Sequence, residues 1–241
     1  MFFALLCIIK KASLPLACAG SFLALCLSAS AAWATQADED CYHLTVQGRQ
    51  VRAAGNLPLA LSIFKRAQAI VPSDARPYFW LAICEDEMGQ PELALDAYYK
   101  CVAAAKDHHM DSAEMRIDLG NLLSRMKYYQ ESVFDYRRAI EIDPRITIAH
   151  LFLARALIEL GSWSQSLEEL KACTTFGLNE PSIPFLKALC LKEMGDYPAA
   201  LKELEDFFGT TSDAIKHSTL GRQAVVLQMQ LRANIQQPAV P

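Results

Sequence analysis

AEMRIDLGNLLSRMKYYQESVFDYRRAIEIDP, residues Ala113–Pro144, decides the fold. Its apolar residues recur at helical spacing in two runs, Ile117, Leu119, Leu122, Leu123 and Met126, then Val133, Phe134, Tyr136 and Ile140. A polar break around Lys127 separates the runs, and Pro144 closes the unit because proline cannot extend a helix. Neither helix can bury its apolar face alone. The two must fold back as an antiparallel pair and stack on similar neighbours.

The neighbours are present. Aligning the chain to this stretch gives five copies, with the turn between paired helices at Gly55, Gly89, Lys127, Gly161 and Gly195. The turns recur at one constant spacing, stretched only between Gly89 and Lys127. A small residue stands mid-way along each first helix, at Gly48, Ala82, Gly120, Ala154 and Ala188. A second small residue comes early in each second helix, at Ala60, Ala94, Ser132, Ser166 and Ala200, followed by a large one at Phe64, Tyr98, Tyr136, Leu170 and Leu204. Small side chains let helix backbones approach to roughly 8–10 Å, and the large residue fills the space beside them. Glycine after the first helix supplies the left-handed cap at which the chain reverses.

These residues resemble the tetratricopeptide repeat family, whose period is about 34 residues; Leu119-Gly120-Asn121, Tyr129, Tyr136, Ala139 and Pro144 match its pattern. The resemblance covers about Cys41 to Ser212. It implies an all-α, right-handed superhelical solenoid of five helix-turn-helix repeats, at about 41–74, 75–112, 113–146, 147–180 and 181–212. Copy one has Gln47 where the family favours Leu, copy two carries extra residues within 106–111, and copy five opens on Pro181 and Pro184. Beyond Ser212 a single stripe of Leu220, Ala224, Leu227 and Leu231 predicts a capping helix over 213–235, followed by a tail at 236–241. The alternative is half of a sixth repeat completed by another molecule.

The segment 1–34 differs in kind. It holds no acid and only two charges, Lys10 and Lys11, followed by an apolar run from Ala12 to Leu27 and the small-residue stretch Ser28–Ala34. That order predicts a signal peptide over 1–34, cleaved after Ala34, and so an exported protein, periplasmic or secreted. Retention of this segment as an uncleaved membrane anchor is the alternative. Cleavage would take the net charge from −4 to −6 and leave Asp38-Glu39-Asp40 as an acidic lead-in over 35–40.

Composition excludes several functions. With Lys+Arg 23 against Asp+Glu 27 and no basic block, phosphate-driven nucleic-acid binding is not expected. No glycine-rich phosphate loop occurs. His108 and His109 stand in the inserted segment without metal-ligand spacing, and no catalytic constellation is present. The expectation is therefore a chain that is not an enzyme and takes no cofactor, metal or small-molecule substrate. Cys84 with Cys101, and Cys173 with Cys190, show the same separation, each pair on helices expected to pack together. In an oxidising compartment they are either disulfides or small buried core residues.

What remains is a surface. The resemblance implies that the first helices line a concave face that binds a partner protein or peptide. Here that lining comprises Arg49 and Arg52 from copy one, Arg76, Phe79 and Ile83 from copy two, and Ile117, Asn121 and Arg125 from copy three. Leu151, Arg155 and Ile158 follow from copy four, and Phe185 and Leu189 from copy five. The family's chaperone-tail carboxylate clamp is not matched, since Thr45 and Arg49 stand where its Lys and Asn would be. The expected function is a non-catalytic scaffold or adaptor outside the cytoplasm. The rival is a membrane-tethered assembly factor that self-associates through its C-terminal helix.

Overall fold

The structure is a computed structural model that describes residues 16–107 and 111–236, with side chains over 34–105 and 111–236. The described residues are helical throughout apart from turns and short connections. They form two compact units, divided between His109 and Met110.

The first unit holds α1 (Leu16–Ala53), α2 (Leu57–Ile70), α3 (Ala75–Glu87) and α4 (Pro91–Asp107). The helices pair as α1 with α2 and α3 with α4, and α2 also lies against α3. The core is built from the residues that define the repeat: Ala60, Phe64 and Ala67 in the first pair, Leu81, Ala82 and Tyr98 in the second, all buried. The expected acidic lead-in at 35–40 is part of α1, which runs without a break from Leu16 through Asp38-Glu39-Asp40 into the first repeat. Its acids are exposed along one helix and leave the hydrogen-bond ladder intact. The lysine-bearing start of the expected signal, at 1–15, and the expected tail beyond Gln236 lie outside the described residues. Among the described residues, no helix is long and apolar enough to cross a membrane.

The second unit holds α5 (Ala113–Arg125), α6 (Tyr129–Ile142), α7 (Thr147–Glu159), α8 (Trp163–Thr175), α9 (Ser182–Glu193) and α10 (Tyr197–Thr210). These pair as α5–α6, α7–α8 and α9–α10, with α6 against α7 and α8 against α9. The short α11 (Asp213–Lys216) leads into α12 (Thr219–Gln236). Leu227 and Leu231 of α12 join Ala188, Leu204 and Phe207 in the last core cluster, so this helix covers the end of the fifth pair.

Each pair reverses by the same device. The residue that turns the chain takes a left-handed conformation, at Gly55 (φ 84), Gly89 (φ 73), Lys127 (φ 65), Gly161 (φ 70) and Gly195 (φ 83). The next amide then bonds back five residues, as in Gln90 to Glu85, Tyr128 to Leu123 and Asp196 to Leu191, each 2.9 Å. This closure satisfies carbonyls that the helix end would leave orphaned. Lys127 adopts the shape without being glycine, a conformation that costs an L-residue about 1 kcal/mol. Where first and second helices cross, a side chain on Gly48 would meet Phe64 at 2.4 Å and one on Gly120 would meet Tyr136 at 2.6 Å. These two glycines are there for space.

In repeats three and four, a polar pair also ties the two helices together. Arg116 of α5 donates to Asp135 of α6 at 2.7 Å and to Asp111 at 2.7 Å, with Arg116 and Asp135 both buried. Arg138 reaches Asp111 from outside at 3.1 Å. Burial raises the Asp111 carboxyl, but hydrogen bonds from Arg116 and Arg138 outweigh it and hold the group below the usual range. Asp135 is more deeply enclosed, and there burial wins and pushes it up. One period later the same two positions hold His150 and Glu169, 2.6 Å apart.

Candidate functional site

The expected lining residues fall in both units. In the first unit they come together on the α1 and α3 side. Arg49 lies over the Trp80 ring, its guanidinium carbon 4.7 Å from the ring centre, and Arg52 lies over the same ring at 5.5 Å. Arg52 also grips Glu87 with two nitrogens, one at 3.0 Å. Trp80 is itself braced, stacked on Phe64 at 6.3 Å and edge-on to Phe79 at 5.2 Å. Two turns earlier on α1, the half-exposed Tyr42 sits under Arg76 at 5.5 Å. Arg76 closes a bidentate pair with Asp74, the N-cap residue of α3, with contacts of 2.6 and 3.0 Å. Burial raises the Asp74 carboxyl, and its bonds from Arg76 more than reverse that, holding it low. Phe79 turns its other edge to the buried Tyr98 at 6.3 Å, and Ile83 is half-buried. Arg49, Arg52 and Arg76 thus share one face, held by aromatic rings.

Trp80 is the residue sequence reasoning missed. The signal was available: it stands four residues after Arg76 and three before Ile83, on the helical face already assigned to the lining.

In the second unit the lining is thinner than expected. Ile117 is 7% exposed and packs with Ala113, Ala139 and Ala149, and Leu151 is 2% exposed in a cluster with Leu170 and Ile183. Both are core residues, because an interior first helix is flanked by its own partner and by the next pair. Ile158 packs at the rim of the same cluster. Asn121 accepts a 2.9 Å hydrogen bond from the Tyr136 hydroxyl, and Arg155 donates to Ser182 Oγ at 2.9 Å. Arg125 is exposed in the last turn of α5.

Phe185 and Leu189 end up in a different setting. They form one wall of an open cleft of about 580 Å³ between α9 and α12, with Val226 and Leu227 opposite. Lys192 and Arg222 stand in its lining, and no acid does. Lys192 lies 2.7 Å from Glu193, and Arg222 donates to His217 O and Thr219 Oγ1. The stripe Leu220–Leu231 identified α12 as a cover, yet its neighbouring face supplies half of this cleft.

Of the two readings of the cysteines, the structure supports small buried core residues. All five cysteines of the repeats are buried, and none is in a disulfide. Cys190 Sγ donates to Ser166 Oγ at 3.5 Å, and Ser166 lies seven residues before Cys173. That is about 10 Å along α8, beyond the reach of a disulfide. Cys101 Sγ donates to Ala75 O at 3.3 Å, nine residues before Cys84, or about 13 Å along α3. The cysteines serve as small core residues. Burial pushes the thiols of Cys84 and Cys173 up to about 11. Cys41 is also pushed to about 11, by burial and by its bond to Asp74. Among the described residues, no three His, Cys, Asp or Glu side chains gather as a metal site, and His108 and His109 lie outside those residues.

The tetratricopeptide repeat family model matches residues 75–108 and 113–146, the second and third of the five copies. The human tetratricopeptide repeat protein 21A is 27% identical over 142 residues, covering 54% of this chain and 11% of that protein. The chain thus spans about a tenth of that relative's length. Among solved structures, YrrB, described as a TPR protein with an unusual peptide-binding site, aligns at TM-score 0.68 and 16% identity, over 84% of this chain and 98% of its own. PilF of Pseudomonas aeruginosa aligns at TM-score 0.62 and 21% identity, over 83% and 90%. A MamA structure aligns at TM-score 0.61 and 18% identity, over 67% and 92%. These likenesses support a tetratricopeptide repeat protein with an all-α solenoid fold, a scaffold consistent with protein–protein interaction.

Proposed function

We propose that this chain is a non-catalytic scaffold that binds a segment of a partner protein through exposed faces of its first helices, outside the cytoplasm. The observation that carries the reading is the cleft between α9 and α12. Four apolar side chains form its walls and two cations stand in its lining, a composition that suits a protein segment. The leader-like sequence at 1–34 supports the location, and the absence of a phosphate loop or catalytic constellation from the sequence supports a binding role. Selection of a displayed random peptide library on the full chain tests it. Peptides that cross-link to a photoreactive residue at Val226 should lose binding in Leu189→Glu, with the helical circular-dichroism signal and melting temperature retained. Unchanged binding in Leu189→Glu refutes the cleft.

A second reading has one observation of its own. Val226 and Met229 of α12 are 53% and 66% exposed, an apolar edge that suits self-association. Deleting residues 213–241 would abolish dimers under that reading; persistence of the dimer rejects it.

A further inference from the structure

We infer that Arg49 and Trp80 form a docking point for an acidic side chain within an extended peptide, a site separate from the α9/α12 cleft. The inference rests on the proposed binding function and assigns the chemistry of one position in the ligand.

Three arginines share the α1 and α3 face, and two of them are already matched. Arg52 is neutralised by Glu87 and Arg76 by Asp74. Among the described residues, no carboxylate pairs with Arg49. It is exposed, yet it is not a loose side chain, because its guanidinium is held over Trp80, whose ring is fixed from behind by Phe64 and from the side by Phe79. A guanidinium on an aromatic face keeps its in-plane N–H donors available, and its orientation is set before the ligand arrives. The missing group is therefore a planar acceptor with two oxygens, a carboxylate.

The surroundings select the source. A phosphate group would call for several unmatched cations, and this face offers one, with Asp38, Asp74 and Glu87 close by. Arg49 has the exposed Gln47 and Gln50 beside it and Tyr42 seven residues before it, about 10 Å along the helix. A ligand can thus run past it, which favours an internal Asp or Glu over a chain terminus. Arg49 and Arg52 share one ring with a single acid between them, so an arriving carboxylate would also relieve repulsion between the two cations.

The test is the displayed-peptide selection run in parallel on the full wild-type chain and on Arg49→Gln. Wild type should enrich peptides carrying Asp or Glu at one fixed position, and Arg49→Gln should lose that preference. For a selected synthetic peptide, replacing that Glu by Gln should weaken binding to wild type about tenfold, the scale of a charge-assisted hydrogen-bond pair. The same replacement should change binding to Arg49→Gln by less than twofold. Arg49→Lys, which keeps the charge without the planar donors, should recover only part of the preference. Selected peptides with no acid preference, or an equal Glu-to-Gln penalty in both chains, would overturn the inference while leaving cleft binding standing. Failure to select any peptide would overturn it together with the proposed function.

Discussion

Replacing Gly120 by Ala sets two effects of known size against each other. An alanine inside a helix is worth about 0.8–1 kcal/mol over glycine. Against this, the added Cβ would stand 2.6 Å from Tyr136 Cε1 and 2.8 Å from Cδ1. The ring must retreat by about 1 Å to restore van der Waals contact, although Tyr136 is buried and its hydroxyl is tied to Asn121. Overpacking of this kind costs about 1–3 kcal/mol, so Gly120→Ala should destabilise the chain by about 1 kcal/mol net. At the same two positions alanine meets leucine in Ala154 with Leu170 and Ala188 with Leu204, and meets a ring in Ala82 with Tyr98. Pairing Gly120→Ala with Tyr136→Leu should therefore show a favourable coupling of about 1 kcal/mol or more in a double-mutant cycle. Urea unfolding followed by circular dichroism reads all four chains. If Gly120→Ala stabilises the protein by the full propensity gain, and the double variant is additive, the close-approach explanation of this glycine is wrong.

Lys127→Gly should raise stability by about 1 kcal/mol, since Lys127 alone among the five helix-pair turns holds φ 65 without being glycine; no gain in urea midpoint would contradict that. Arg116→Met should cost about 3–5 kcal/mol by stranding Asp135, and adding Asp135→Leu should recover much of it. Because Asp111 is held below its unfolded value, its contribution is present above that value and is lost as pH falls through the folded one. Asp111→Asn should accordingly flatten acid unfolding on the low side of about pH 4. The thiols of Cys84 and Cys173, pushed up to about 11, should resist iodoacetamide at around pH 8 until denaturant is added, as mapped by peptide mass spectrometry. Rapid native labelling would show that the helix crossings open readily.

What the sequence could express was the period, and the reason is physical. Small residues at helix crossings and left-handed turns are local demands, met by one residue type at one spacing. Gly55, Gly89, Gly161 and Gly195 therefore declared the turns, and Phe64, Tyr98 and Tyr136 declared the packing. The lining was harder to read because exposure depends on neighbours distant in sequence. Ile117 and Leu151 sit on the first helices at the expected phase, but packing from adjacent pairs encloses them. Trp80 was hidden for the opposite reason: an aromatic in an apolar helix reads as core, and its role as a platform emerges only when Arg49 and Arg52 cross over from α1. The cysteines stayed open between two readings because a matched separation along the chain says which helices meet and nothing about the height at which they cross. The ion pair of Arg116 and Asp135 belongs to the same class of feature, since polar residues at helical spacing look like a solvated face until a second helix covers them.

Equivalent turns at Lys127 and Gly161 make everything between them removable as a unit. Joining Lys127 directly to Ser162 deletes α6 and α7 and presents α8 to α5 at the angle α6 now occupies. Gly120 would then face Leu170 in place of Tyr136, and Arg116 would find Glu169 where Asp135 had been, cation again meeting acid. The seam at each turn is thus also a splice point, and a chain built this way can change its reach by whole helix pairs, with Gly120→Ala rematching the crossing to Leu170.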